Sequence, residues 1–95
     1  MSAVRIPPVL RASAGGNKQV DVSGATVGEV LETLVTQYPG LRSQLLTADG
    51  DLNRFVNVYL NDQDVRYLQE RATLVESRDT LIILPAMAGG GGAEA

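Results

Sequence analysis

Cysteine and histidine are both absent from this 95-residue chain, and each absence removes a class of chemistry. Without cysteine there are no disulfides and no thiol nucleophile. Without histidine there is no Ser-His-Asp triad, and without both there is no zinc site built on nitrogen or sulfur ligands. Lysine occurs once, at Lys18. Eight basic residues against eleven acidic ones give a formal charge of −3, which provides no footprint for nucleic acid. No apolar run approaches the ~20 residues of a membrane span. Met1–Arg5 lacks the apolar core of a signal peptide, and Pro7-Pro8 interrupts the short apolar stretch behind it, so a cytoplasmic protein is expected. What is present is a globular balance, 44% hydrophobic and 20% charged, at a length suited to one small core.

Hydrophobic periodicity orders the chain. Val4-Arg5-Ile6 predicts a first strand continuing past Pro7-Pro8 into Val9-Leu10, bent or unpaired where the prolines lack donors. Gly15-Gly16-Asn17 predicts a turn, and Val20 and Val22 alternate with polar residues in a second strand, completing a hairpin. Thr26 with Glu29 three residues on reads as a capping box. Behind it Val27, Val30, Leu31, Leu34, Val35 and Tyr38 share one helical face, and Pro39-Gly40 ends the helix. Leu41, Leu45 and Leu46 suggest one more helical turn before Asp49-Gly50-Asp51.

Phe55–Leu60 is the strongest strand, with Val56, Val58 and Leu60 toward the core and Phe55, Asn57 and Tyr59 on the other side. Asn61-Asp62 turns the chain, Asp64–Arg66 makes a short edge strand, and Glu76–Asp79 turns it again. Thr80–Leu84 is the last strand, closed by Pro85. The order ββ, α, β, short β, β predicts an α+β fold in which one main helix lies across a mixed sheet, the β-grasp arrangement. Residues 1–87 form this domain, and 88–95 form a flexible glycine-rich tail whose small side chains bury too little area to offset ordering entropy.

Few residues offer chemistry of their own. Asp49-Gly50-Asp51-Leu52-Asn53 begins like a calcium loop, but position 6 is Arg54 and position 12 is Leu60, so it reads as a solvated turn and no metal is expected. Asp62 with Asp64, and Glu29 with Glu32, have spacings that imply no paired catalytic carboxylates. Gly15-Gly16 lacks the Lys-Ser/Thr of a phosphate loop and precedes a strand, where such a loop precedes a helix. One sheet and one helix leave little room for an enclosed pocket of the ~300 Å³ that small-molecule sites occupy. The chain is expected not to be an enzyme and to bind no cofactor itself.

The four glycines Gly89–Gly92 stand apart. Composition alone reads them as a spacer, but they follow the last strand through Leu84-Pro85-Ala86-Met87-Ala88, and little comes after them to connect. A chain without side chains threads a channel too narrow for other residues. Its carboxyl group is then the one reactive atom set that must enter an enzyme.

At this point the residues resemble a known family. Arg54–Arg66, the segment Asp79–Gly90 and the amino-terminal Ile6–Arg11 are similar to the MoaD/ThiS-type sulfur carriers, ubiquitin-like β-grasp proteins, and within them to the CysO-like group of cysteine-biosynthesis carriers. The likeness runs over about residues 3 to 90. It implies that a ubiquitin-activating-type adenylyltransferase/sulfurtransferase adenylates a terminal glycine with ATP and converts it to a thiocarboxylate. It further implies a PLP-dependent cysteine synthase-like or other sulfur-accepting enzyme, and a JAMM-type metallopeptidase that carries zinc. ATP, PLP and zinc would all belong to these partners.

Carried onto this chain, the resemblance makes Gly90 the thiocarboxylate and adenylation site, with Gly92 the alternative, and Gly89 and Gly90 the threading residues. Family members end at Gly-Gly, whereas Gly91-Gly92-Ala93-Glu94-Ala95 follow here, so trimming before activation is expected, unless these residues were added in expression. Related carriers dock through an apolar patch on the sheet face away from the helix. Phe55, Tyr59 and one of Leu81 and Ile83 are the candidates, the alternative being that several of them complete the core. With Lys18 as the sole lysine acceptor, chains of the protein on itself are not expected. The competing readings are a molybdopterin synthase small subunit, a ubiquitin-like modifier of other proteins, and an interaction domain with an inert tail.

Overall fold

A computed structural model describes residues 1–85. The expected boundary at 87/88 and Gly89–Gly92 lie outside the described residues. Strand β1, Ser2–Arg5, turns Ser2 and Val4 inward and leaves Arg5 exposed. The buried Ser2 hydroxyl donates to the Glu76 carbonyl at 2.9 Å, so this polar group is not left unsatisfied.

Beyond β1 the chain departs from the expected extended strand. Pro8–Ala14 is 3-10 helical, with Pro8 at its first position, where a missing N–H costs nothing. This coil folds Leu10 and Ala14 into the core, burial that a strand through Val9-Leu10 would not give both. Gly15, at φ 68°, ends it in the left-handed conformation. Strand β2, Gln19–Val22, then pairs antiparallel with β1.

Helix α1, Val27–Gln37, starts as the sequence requires. The Thr26 hydroxyl accepts from the Glu29 N–H at 3.2 Å. The Glu29 carboxylate reaches back to the Ala25 N–H at 2.9 Å, one residue further than an ordinary capping box. Val27, Val30, Leu31, Leu34 and Val35 are all buried on its inner face. Gly24 lets the chain enter this close: a Cβ there would stand 2.7 Å from the Val30 nitrogen. A 3-10 turn at Pro39–Leu41 leads into α2, Arg42–Leu45, which adds Leu41, Leu45 and the following Leu46 to the core.

Strand β3, Val56–Leu60, buries Val56 and Val58 and packs Leu60 against the core, as its alternation predicts. Strand β4 is Gln63–Asp64, and the expected strand through Arg66 gives way at Val65 to a 3-10 turn capped by the Asp64 carboxylate on the Arg66 N–H, 2.8 Å. Strand β5, Thr80–Pro85, closes the sheet in the order β2-β1-β5-β3-β4. It runs parallel to β1 and antiparallel to β3, so the last strand occupies the centre of a mixed sheet. The β-grasp architecture follows, with the core sealed between this sheet and α1.

Candidate functional site

The position of β5 fixes where the carboxyl-terminal segment leaves the domain. Val56 is the register partner of Pro85, and Arg5 that of Ile82, so Pro85 emerges at the end of the sheet where β1 finishes and β3 begins. Leu81 and Ile82 are paired on both edges, and Ile83–Pro85 leave the sheet along β3 alone.

The face of β5 turned away from α1 differs from expectation. Leu81 and Ile83, offered as docking candidates, are 0% and 1% exposed and belong to the core. They alternate with Ile82 and Leu84, which point outward; Leu84 is 43% exposed. Thr80-Leu81-Ile82-Ile83-Leu84 is an almost unbroken apolar run, so hydrophobicity does not reveal its parity. The polar Thr80 was the usable signal, since residues 80, 82 and 84 share a face.

On that outer face Tyr59 stands opposite Ile82, and Asn57 opposite Leu84. Tyr59 is half-buried among its neighbours. Phe55, in the turn before β3, is 60% exposed, and the Arg54 guanidinium lies 5.4 Å from its ring centroid. Phe55 is thus exposed and Tyr59 half-buried on the outer face, where Ile82 and Leu84, and not Leu81 and Ile83, stand with them.

Cationic side chains flank the exit on both sides, a feature the sequence reading missed. Arg5, Arg11 and Lys18 line an open groove of about 620 Å³ together with Leu84 and Pro85. Across β5 the Arg66 guanidinium donates to the Val56 carbonyl at 2.8 Å, and also to the Asn57 side-chain oxygen. Those contacts hold its charge beside the register partner of Pro85.

At the far end of the sheet a second cluster clamps the start of β5. The Asp79 carboxylate accepts from the Glu76 N–H at 2.8 Å and from the Asn61 amide at 3.2 Å. Asn61, itself at φ 56°, in turn accepts the Thr80 N–H at 3.0 Å. These donors, the Glu76 N–H foremost, hold the Asp79 carboxyl below its ordinary value of 3.8. Among the described residues no group of three or more acidic side chains is placed to hold a metal ion, and no helix is long and apolar enough to cross a membrane.

Comparison with known proteins decides what this arrangement belongs to. The model of the ThiS family matches residues 4–90, nearly the whole chain and up to the second glycine of the run. The chain belongs to the ThiS family. Its similarity to other ThiS-like proteins is high: it is 45% identical over 89 residues to the sulfur carrier protein CysO of Mycobacterium tuberculosis, covering 92% of this chain and 96% of that protein. The crystal structure of the Amycolatopsis orientalis BexX/CysO complex holds a chain that superposes with a TM-score of 0.87 at 42% identity, covering 95% of this chain and all of that one. Small archaeal modifier protein 3 of Haloferax volcanii is 39% identical over 66 residues, or 70% of this chain and 71% of that protein.

Proposed function

We propose that this ThiS-family chain is a sulfur carrier of the CysO kind, a protein substrate whose reactive group is made at Gly90. The observation that carries the reading is a family match that ends at residue 90, joined to a last strand, β5, that ends five residues earlier at Pro85. In the sequence, Ala86-Met87-Ala88 separate the end of β5 at Pro85 from Gly89-Gly90.

The chemistry needs no side chain from this protein. The Gly90 carboxylate oxygen attacks the α-phosphorus of ATP, pyrophosphate departs, and an acyl-adenylate forms. Sulfur at the sulfide level then attacks the acyl carbon, the C–S bond forms as the C–O bond to AMP breaks, and departure of AMP and a proton leaves the terminus as a thiocarboxylate. Adenylation supplies the leaving group a carboxylate lacks, and the thiocarboxylate sulfur is a soft nucleophile at neutral pH. The ATP, the PLP of a cysteine synthase-like acceptor and the zinc of a releasing JAMM-type peptidase all sit on partner enzymes. The solved CysO in complex with BexX supports a carrier that works while bound to another protein.

Gly91–Ala95 place a peptide bond on the Gly90 carbonyl, so removal of these residues precedes activation. Intact-mass spectrometry with the cognate adenylyltransferase, ATP and a sulfur donor tests this. The expected product is the chain ending at Gly90 with one oxygen exchanged for sulfur. A full-length chain that gains sulfur untrimmed overturns the precursor, and a product ending at Gly92 moves the site.

The likeness to an archaeal small modifier protein supports a second reading, in which a lysine amine on another protein captures the same adenylate. Conjugate ladders in place of a free thiocarboxylate would establish it.

A further inference from the structure

The formal charge of −3 conceals a strong asymmetry along the sheet. Arg5, Arg11 and Lys18 line the groove where β5 leaves the fold, and Arg54 and Arg66 lie on the other side of it beside Phe55 and Val56, in a depression they share with Asp51, Glu70 and Arg71. The opposite end of β5 carries Asp62, Glu76 and Asp79 with a single cation, Arg78, which pairs with Glu76 at 3.3 Å. The six residues of β5 separate these ends by about 17 Å. That exceeds a Debye length of ~10 Å at 0.1 M salt, so an approaching partner feels the two ends separately.

None of the five cations is spent on an internal ion pair among the described residues. The salt bridges there are Arg42–Glu32, Arg71–Asp51 and Arg78–Glu76. Arg66 is held in place by neutral oxygens, Val56 and Asn57, and Arg11 donates to the Ile6 carbonyl at 3.1 Å. Such contacts orient a guanidinium without neutralising it. Arg5, Lys18 and Arg54 are exposed. Arg11 and Arg66 are therefore oriented by the fold, Arg5, Lys18 and Arg54 are open to solvent, and the five lie on both sides of the exit.

Anything that receives the segment after Pro85 must come against this collar. We infer that Arg5, Arg11, Lys18, Arg54 and Arg66 form a docking collar for a partner whose tail-accepting entrance is rimmed with carboxylates, and that the collar orients the carrier tail-first. The inference rests on the sulfur-carrier reading and adds the surface and the charge of the partner. A complementary acidic rim is attracted to this end and repelled by the Asp62–Glu76–Asp79 end. Electrostatics of this kind act chiefly on association, raising on-rates by ~10-fold or more at low salt. Nucleic acid, also anionic, would meet the same collar but be opposed by the chain's net negative charge.

Pyrophosphate exchange by the cognate adenylyltransferase, with the chain ending at Gly90 as substrate, tests the collar. The variants are Arg5→Glu, Lys18→Glu and Arg54→Glu, which lose no hydrogen bond of the fold, and the Arg5→Glu/Arg54→Glu pair. Arg78→Glu, at the other end, is the control. The expected result is a KM about tenfold higher for the pair with kcat unchanged, a wild-type kcat/KM that falls steeply with salt, and a control like wild type. Equal KM values for all variants at every ionic strength overturn the collar and leave the carrier reading standing. Collar variants that react faster than wild type also overturn it, because the groove would then be holding this chain's own tail. An enzyme that never adenylates the wild-type chain overturns both.

Discussion

Val56 and Pro85 face each other as the last register pair of the β3–β5 ladder. This pairing puts the exit of the carboxyl-terminal segment next to the Phe55 and Arg54 turn, and next to the Arg66 guanidinium bound to the Val56 carbonyl. One composite surface results at Pro85: the end of β5, an exposed aromatic ring and the Arg66 positive charge.

Parity along the strands separates docking from folding. Ile83→Ala removes a fully buried side chain between sheet and helix and is expected to cost about 2–4 kcal/mol, read as a lower denaturant midpoint. Phe55→Ala, at an exposed position, is expected to leave the midpoint nearly unchanged and raise the KM of adenylation severalfold. A Phe55→Ala chain activated with wild-type KM removes Phe55 from the docking surface.

Of the described glycines, Gly24 leaves the least room for a side chain. Its φ of 158° is open to glycine, and a Cβ would press to 2.7 Å on the Val30 nitrogen and 2.8 Å on its Cγ2. Gly24→Ala is expected to cost about 2 kcal/mol or more, and to loosen the first turn of α1. Hydrogen exchange should report that loosening at the Glu29 and Val30 amides, while the β3–β5 amides keep their protection.

Asp79 links stability to acid. Its folded pKa lies below the ordinary 3.8, so the carboxylate stabilises the fold above that pH and the contribution is lost as pH falls through the folded value. Asp79→Asn removes the charge. Wild type should exceed the variant by about 0.5–1 kcal/mol at neutral pH, the scale of exposed charge-assisted hydrogen bonds. The gap should begin to narrow as pH falls below about 3.8 and vanish only below the folded pKa, where both side chains are neutral. A gap that is constant down to pH 2 shows that Asp79 acts through shape alone.

The sequence by itself determined the elements whose signals are local. The Thr26/Glu29 cap and the 3,1,3,1,3 spacing specify α1, because helix formation is settled within a few turns of chain. The alternation of Val56-Asn57-Val58 specifies the inner face of β3, and the path from Leu84-Pro85 into Gly89-Gly90 specifies the functional class. Local reading failed at Pro8–Ala14, where two prolines suit a bent strand or a 3-10 coil equally. Burial of Leu10 and Ala14 chose the coil.

The site needed the tertiary structure. An apolar run reads the same on either face, so only pairing with β1 and β3 turned Leu81 and Ile83 inward and Ile82 and Leu84 outward. The five cations lie in three stretches, residues 5–18, 54 and 66. Charge in a sequence has a sum but no direction. Placing β5 between β1 and β3 brought those stretches to one end and gave the charge its direction.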